Sequence, residues 1–183
     1  MARPTQQQDD ESFLVPLALA LVAQPRANLQ ELARAIGISK AALYRYCRTR
    51  EELIQRLMEH SVHALREGVR VADLENGPPL EALRRLIDHC LEHRALYAFV
   101  TYYWNDVAVN HGIAAGWESV MDAFFLRGQR EGVFRIDISA PALTEICVTL
   151  ISGIIDAEYR GRVARAGLAT LIENAFLNGA LAR

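Results

Sequence analysis

The stretch NLQELARAIGISKAALYRYCRTREELI, residues 28–54, decides the fold. Asn28-Leu29-Gln30-Glu31 fits a capping box: the Asn28 side chain covers free backbone N–H groups of a first helical turn, and Glu31 reaches back to residue 28. Leu29, Leu32, Ala33 and Ile36 recur at helical spacing and predict one apolar face. Gly37 ends that helix, because glycine enters the left-handed conformation without a steric cost. Ile38 is an apolar plug, and Ser39 caps a second short helix that runs to about Tyr46. Thr49-Arg50-Glu51-Glu52 reads as a second capping box. It opens a long helix striped by Leu53, Ile54, Leu57, Met58, Val62, Leu65 and Val69, which reaches to about Leu74.

Two short helices joined by a glycine turn between Asn28 and Tyr46 have the dimensions of a helix-turn-helix. In that motif the first helix crosses the DNA backbone and the second lies in the major groove. Ala33 is small where the helices cross, and Ile38 and Leu43 pin the second helix to the core. Its outward residues are then Ser39, Lys40, Ala41, Tyr44 and Arg45, with an alanine small enough to let the helix sit deep. Charge points the same way. The whole chain carries a formal net charge of -2, yet between Arg26 and Arg50 the cations Arg26, Arg34, Lys40, Arg45, Arg48 and Arg50 face only Glu31. From Glu51 onward the balance reverses, with 13 arginines against 18 carboxylates. A basic segment on an acidic remainder suggests a local phosphate-binding patch.

The run from Leu29 to Tyr46, followed by Thr49-Arg50-Glu51-Glu52-Leu53, resembles the signature of TetR-family regulators, of the form eiA..aGvs.gtlY.yF.sKeeLl. The resemblance is specific over residues 28–54 and architectural elsewhere. It implies a homodimer of all-helical subunits, with three N-terminal helices for DNA and further helices for effector and dimer contacts. Matched position by position, Tyr44 and Tyr46 fall where the family's aromatics touch phosphates, and Lys40 and Arg45 where side chains face bases or backbone. Arg50 takes the place of the lysine that opens the next helix, where a cation and helix N–H groups meet a phosphate. The expected DNA-binding set is Asn28, Ser39, Lys40, Ala41, Tyr44, Arg45, Tyr46 and Arg50. Two positions depart from the pattern: Cys47 replaces the usual phenylalanine, and the connection Gln24-Pro25-Arg26-Ala27 is short. The run from Arg127 to Arg135 also resembles the loop that precedes the family's two dimerisation helices.

Outward from the motif, nearly every segment has helical period, and the short Val133–Ile136 run reads as a connection between helices. A first helix is expected from Ser12 to Ala23, with Pro16 tolerated in its first turn and Pro25 stopping it. Asn76-Gly77-Pro78-Pro79 breaks the chain after the long helix, and helices are expected at about 79–93, 95–110, 113–131, 140–160 and 165–181. The fold class is all-α: a three-helix DNA-binding unit at 12–48, an effector-binding and dimerisation bundle at 49–183, and a polar, disordered arm at 1–11.

Aromatic and polar residues concentrate in the larger unit. His89, His93, Tyr97, Tyr102, Tyr103, Trp104, Trp117 and Phe124 are candidates to line a small-molecule cavity, against the alternative that aromatics at helical spacing only fill a core. Apolar stripes through Leu143, Ile146, Leu150 and Ile154, and through Leu171, Ile172 and Phe176, suit a four-helix dimer interface. His89 and His93 share a helical face, but two ligands do not make a metal site and HExxH is absent. Three widely spaced cysteines fit buried thiols in a reducing compartment. The apolar run Phe13–Ala23 follows acidic residues where a signal peptide has basic ones, and Val148–Ile155 is short for a membrane span; a cytoplasmic location is expected, with no membrane partner. No nucleophile–base constellation, phosphate loop or complete metal motif stands out, so no cofactor and no catalysis are expected. The expected function is a repressor's: palindromic operator DNA bound by a homodimer and released by a small effector. The alternatives are a DNA-binding helical adaptor without a ligand, and a helical enzyme with a vestigial helix-turn-helix.

Overall fold

The computed structural model describes residues 13–111 and 113–181, with side chains described throughout those ranges except at 104–115. The expected arm at 1–11 and the side chain of Trp104 lie outside the described residues. Within them are nine helices: α1 (Leu14–Ala23), α2 (Leu29–Ala35), α3 (Lys40–Tyr46), α4 (Arg50–Ala72), α5 (Pro79–Glu92), α6 (Arg94–His111), α7 (Ile113–Arg130), α8 (Ala140–Tyr159) and α9 (Leu168–Ala180). Every helix expected from the sequence is present, with ends displaced by three residues or fewer where both are described. The Val133–Ile136 connection forms no strand and contributes one isolated bridge, Phe134 to Leu181.

The ends of α4 show how local chemistry sets a boundary. At its start the Thr49 hydroxyl accepts from the Glu52 N–H at 3.0 Å. The second half of the expected capping box is shifted, because the Glu52 carboxylate accepts from the Arg48 N–H at 2.7 Å instead of from residue 49. Those bonds, first from Arg48 and then from Arg56, hold the Glu52 carboxyl below its ordinary range. At its far end α4 stops at Ala72, with Asp73 in the left-handed region at φ 52° and Leu74 buried beyond it.

One apolar core runs through the described residues, from Leu14 to Ala180. Helix α1, almost wholly apolar, buries Leu14, Leu17, Ala18 and Leu21 and packs along α6. Helix α4 starts beside the short helices α2 and α3 and packs against α5 and α6. At the opposite end Phe124, Phe125, Phe134 and Phe176 form an aromatic nucleus with neighbouring ring centroids 5.0–5.8 Å apart. Arg127 clamps that nucleus to the α4–α5 turn by donating to the carbonyls of Leu74 and Gly77, each at 3.0 Å.

Two glycines are explained by what they touch. A Cβ on Gly68, midway along α4, would lie 2.7 Å from the Tyr97 hydroxyl and 2.8 Å from the His89 ring. On Gly128 it would lie 2.3 Å from Phe134 Cδ2.

Helix α8 has 20 residues and a mean hydropathy of 1.5, so by length and composition it is able to cross a membrane. Reading only the stretch Val148–Ile155 hides this, because the hydropathy average extends over the residues on either side of it. Here α8 packs along α7 and α9, with Leu143, Cys147, Ile151 and Ile155 turned inward.

That packing corrects part of the expected dimer stripe. Leu143, Ile172 and Phe176 are buried in the subunit's own core. They follow the helical period that marks an apolar face, but the neighbouring helices of the same chain already cover that face. The remainder of the stripe is outward: Ile146 is 47% exposed and Leu171 42%, with Leu150 and Ile154 half-buried beside them.

Candidate nucleic-acid interface and effector cavity

The capping box at Asn28 forms in full. Its side-chain oxygen accepts from the N–H groups of Gln30 and Glu31, each at 3.0 Å, and Glu31 accepts from the Asn28 N–H at 2.8 Å. Gly37 makes the turn at φ 74°, and the Ser39 hydroxyl caps α3 through the Ala42 N–H at 3.1 Å. Leu43 and Tyr46 then point into the core, which turns the opposite face of α3 outward. On that face Ser39, Lys40, Ala41, Tyr44 and Arg45 are all exposed, and the Lys40 ammonium lies 5.3 Å from the centroid of the Tyr44 ring.

Around it Arg26, Arg34 and Arg48 are exposed as well. Among the described residues none of these five cations enters an ion pair, whereas eight arginines elsewhere do.

Three expected DNA contacts are placed differently. Asn28 is exposed, but its side-chain oxygen is engaged in capping. Tyr46 is only 5% exposed, its ring packed inward with the Arg56 guanidinium 5.0 Å from its centroid. Its neighbour Tyr44 takes the outward position because two residues 200° apart on a helix cannot share a face. Arg50 is half-buried and turns back into the protein, donating to the Pro25 carbonyl and, at 3.1 Å, to the Tyr103 hydroxyl. It ties the α1–α2 turn, the start of α4 and the wall of α6 together.

Replacing Tyr103 with phenylalanine keeps the ring and removes this oxygen. The expected cost in urea unfolding is about 1–2 kcal/mol, with faster amide exchange around residues 25–29. Unchanged stability and exchange would show that Arg50 does not depend on Tyr103.

A cavity of about 210 Å³ lies among α4, α5, α6, α7 and α8. Of the residues expected to line it, Tyr97 and Trp117 do. His89, His93, Tyr102, Tyr103 and Phe124 are elsewhere: Tyr102 is 52% exposed, Tyr103 faces Arg50, and Phe124 belongs to the aromatic nucleus. Sequence reading missed Met121 and Ile151 on its apolar wall and the polar Thr101, Glu118, Thr144 and Glu145. The available signal was the pair of glutamates interrupting otherwise apolar helix faces.

His89 is buried, and its Nε2 donates to the Ala64 carbonyl at 2.9 Å, since a carbonyl oxygen only accepts. That bond fixes the ring between α4 and α5. The His93 ring centroid lies 4.4 Å away, and burial, then the neighbouring His89, lowers its pKa. Donor atoms of His89, Glu92 and His93 fall within 4.8 Å of one another.

All three cysteines are free and buried. Desolvation pushes the Cys47 thiol up to about 11 and the Cys90 thiol up to about 12, which suits packing rather than thiolate chemistry.

The nine-helix architecture, an outward α3 behind a glycine turn and a cavity in the larger bundle define a one-chain helix-turn-helix regulator. The chain belongs to the TetR family of transcriptional regulators: it is 49% identical over 175 residues to the HTH-type transcriptional regulator NfxB of Pseudomonas aeruginosa, covering 93% of this chain and 94% of that protein. It is 30% identical over 97 residues to the HTH-type transcriptional repressor LfrR of Mycolicibacterium smegmatis, covering 53% of this chain and 51% of LfrR.

Solved structures share the fold. The ketosteroid transcriptional regulator KstR2 of Mycobacterium tuberculosis superposes with a TM-score of 0.74 at 16% identity, covering 99% of this chain and 98% of that one. LfrR in complex with proflavine gives 0.68 at 21% identity, covering 97% and 99%. No protein-family model matches the chain.

Proposed function

We propose that the protein is a ligand-responsive repressor that binds a palindromic operator as a homodimer and releases it when a small molecule enters the effector cavity. One observation carries the DNA reading: α3 presents Lys40, Ala41, Tyr44 and Arg45 outward, within a ring of cations that enter no ion pair among the described residues. An unpaired cation is available to displace counterions from phosphate. The outward strip of Ile146, Leu150, Ile154 and Leu171 supports dimerisation through α8 and α9, and two-fold symmetry suits a palindrome.

Ligand acts in this reading by favouring a subunit arrangement whose recognition helices are misplaced for the operator. Helix α4 is the lever, since it lines the cavity with Leu65 and begins at Arg50 beside the DNA-reading unit. On this division residues 12–48 read DNA and 49–183 bind effector and partner, in the cytoplasm where the chromosome is. That LfrR, which shares the fold, forms a complex with proflavine supports a small-molecule effector for this chain.

Selection of bound fragments from a genomic DNA pool, followed by salt titration of the winners, tests the proposal. A palindromic site is expected, with log affinity falling linearly with log salt at a slope of about -0.9 per neutralised phosphate. Enrichment of no fragment at low salt would overturn it, and light scattering that gives a monomer mass on the selected site would remove the dimer.

A further inference from the structure

The last turn of α5 brings together three side chains that neither the DNA-reading face nor the effector cavity uses. His89 and His93 share one face of the helix, and the spacing of two histidines falls one donor short of a metal site. Folding supplies the third. One ligating atom from each of His89, Glu92 and His93 lies within 4.8 Å of the other two. Glu92 is exposed and enters no ion pair among the described residues, so its carboxylate is free to turn toward the rings.

His89 is set as a ligand is set. Its Nε2–H donates to the Ala64 carbonyl at 2.9 Å, which leaves Nδ1 as the nitrogen with a lone pair. A ligating histidine ordinarily donates its other N–H to a carbonyl or carboxylate in this way, which fixes the tautomer and the ring orientation. Gly68 completes the seat, because a Cβ there would lie 2.8 Å from His89 Cδ2. The ring therefore turns its Cδ2–Nε2 edge to α4 and its Nδ1 edge away from it. His93 is the C-cap of α5, so the carbonyl end of the helix dipole favours a cation at this point. Glu67, the residue before Gly68, adds a second negative charge that interacts electrostatically with both rings.

We propose that His89, Glu92 and His93 form a binding site for a divalent transition-metal ion of the zinc class. Two imidazoles and one carboxylate suit zinc and its neighbours, whereas magnesium and calcium prefer oxygen ligands alone. In a tetrahedral zinc site the donor atoms stand about 3.4 Å apart. Closing from 4.8 Å takes side-chain rotation at the exposed Glu92 and the half-buried His93 against a fixed His89. Three protein ligands leave a fourth position open.

The test uses the full chain stripped of metal with a chelator. Zn²⁺ is titrated in by calorimetry, Co²⁺ is followed by its visible absorption, and Mg²⁺ is the control. One Zn²⁺ per chain is expected, with a Co²⁺ absorption that intensifies on binding and no heat from Mg²⁺. Glu92→Gln and His93→Ala should each weaken Zn²⁺ by at least the roughly 10–100-fold that outer partners of a metal site are worth. Neither side chain is buried, so the melting temperature without metal should stay within about 2 °C and exclude misfolding as the cause. Changing His60→Gln and His63→Gln together, both on α4, should leave Zn²⁺ affinity at the wild-type value. Affinity unchanged in Glu92→Gln or in His93→Ala would overturn the site. So would an equal loss in the α4 double variant, Mg²⁺ binding as tight as Zn²⁺, or no Zn²⁺ bound at submillimolar concentration.

Discussion

Changing Lys40 and Tyr44 to alanine together is expected to lower operator affinity by about 100-fold, two contacts to charged oxygen at roughly 1.4 kcal/mol each. The melting temperature should stay within about 2 °C, because both side chains are exposed and away from buried features. Helix α3 is held by the Ser39 cap and by burial of Leu43, and neither residue changes in this variant. The two sites lie four residues apart with the ammonium over the ring, so their effects are coupled and the single variants should not simply add. The lysine has its own signature: Lys40→Ala should reduce the salt slope by about 0.9, one phosphate's worth. Affinity and slope both equal to wild type in the double variant would remove α3 from the interface.

Phe134→Ala is expected to cost about 3–5 kcal/mol in urea unfolding, since the ring is fully buried against Phe124 and Phe125 and its loss leaves a cavity. Gly128 makes a sharper test of the same packing. By helix propensity alone Gly128→Ala should stabilise α7 by about 1 kcal/mol. Its new Cβ, however, would sit 2.3 Å from Phe134 Cδ2, a clash that reverses the sign and should cost about 1–3 kcal/mol. Phe134→Leu withdraws the ring edge, so the combination of Gly128→Ala with Phe134→Leu should be more stable than the sum of the single changes predicts. Strict additivity across that cycle would mean the two positions do not compete for space.

The recognition helix was legible because its signals are local. Caps at Asn28 and Ser39 and the turn at Gly37 act within a few residues, so spacing alone reveals them. Tyr46 and Arg50 were misplaced for the opposite reason. A family pattern carries residue types forward, but Arg50 finds Pro25 and Tyr103 in space, and Tyr103 is 53 residues away. The cavity was read from aromatic density, and that signal does not separate Phe124, locked in the aromatic nucleus, from Trp117 on the cavity wall. Likewise, the period of α8 and α9 reveals an apolar face without saying whether the same chain or another covers it. Gly68 and Gly128 gave no signal at all, because their partners approach from other elements.

The burial of α1 along α6 bears on how such proteins are recombined in the laboratory. A chimera cut near residue 48 transplants Leu14, Leu17 and Leu21 onto a foreign sixth helix, whose side chains were never shaped to receive them. Reader heads of this kind are therefore not interchangeable cassettes unless the receiving surface travels with them, and a swapped head that fails to repress has first to be shown to be seated.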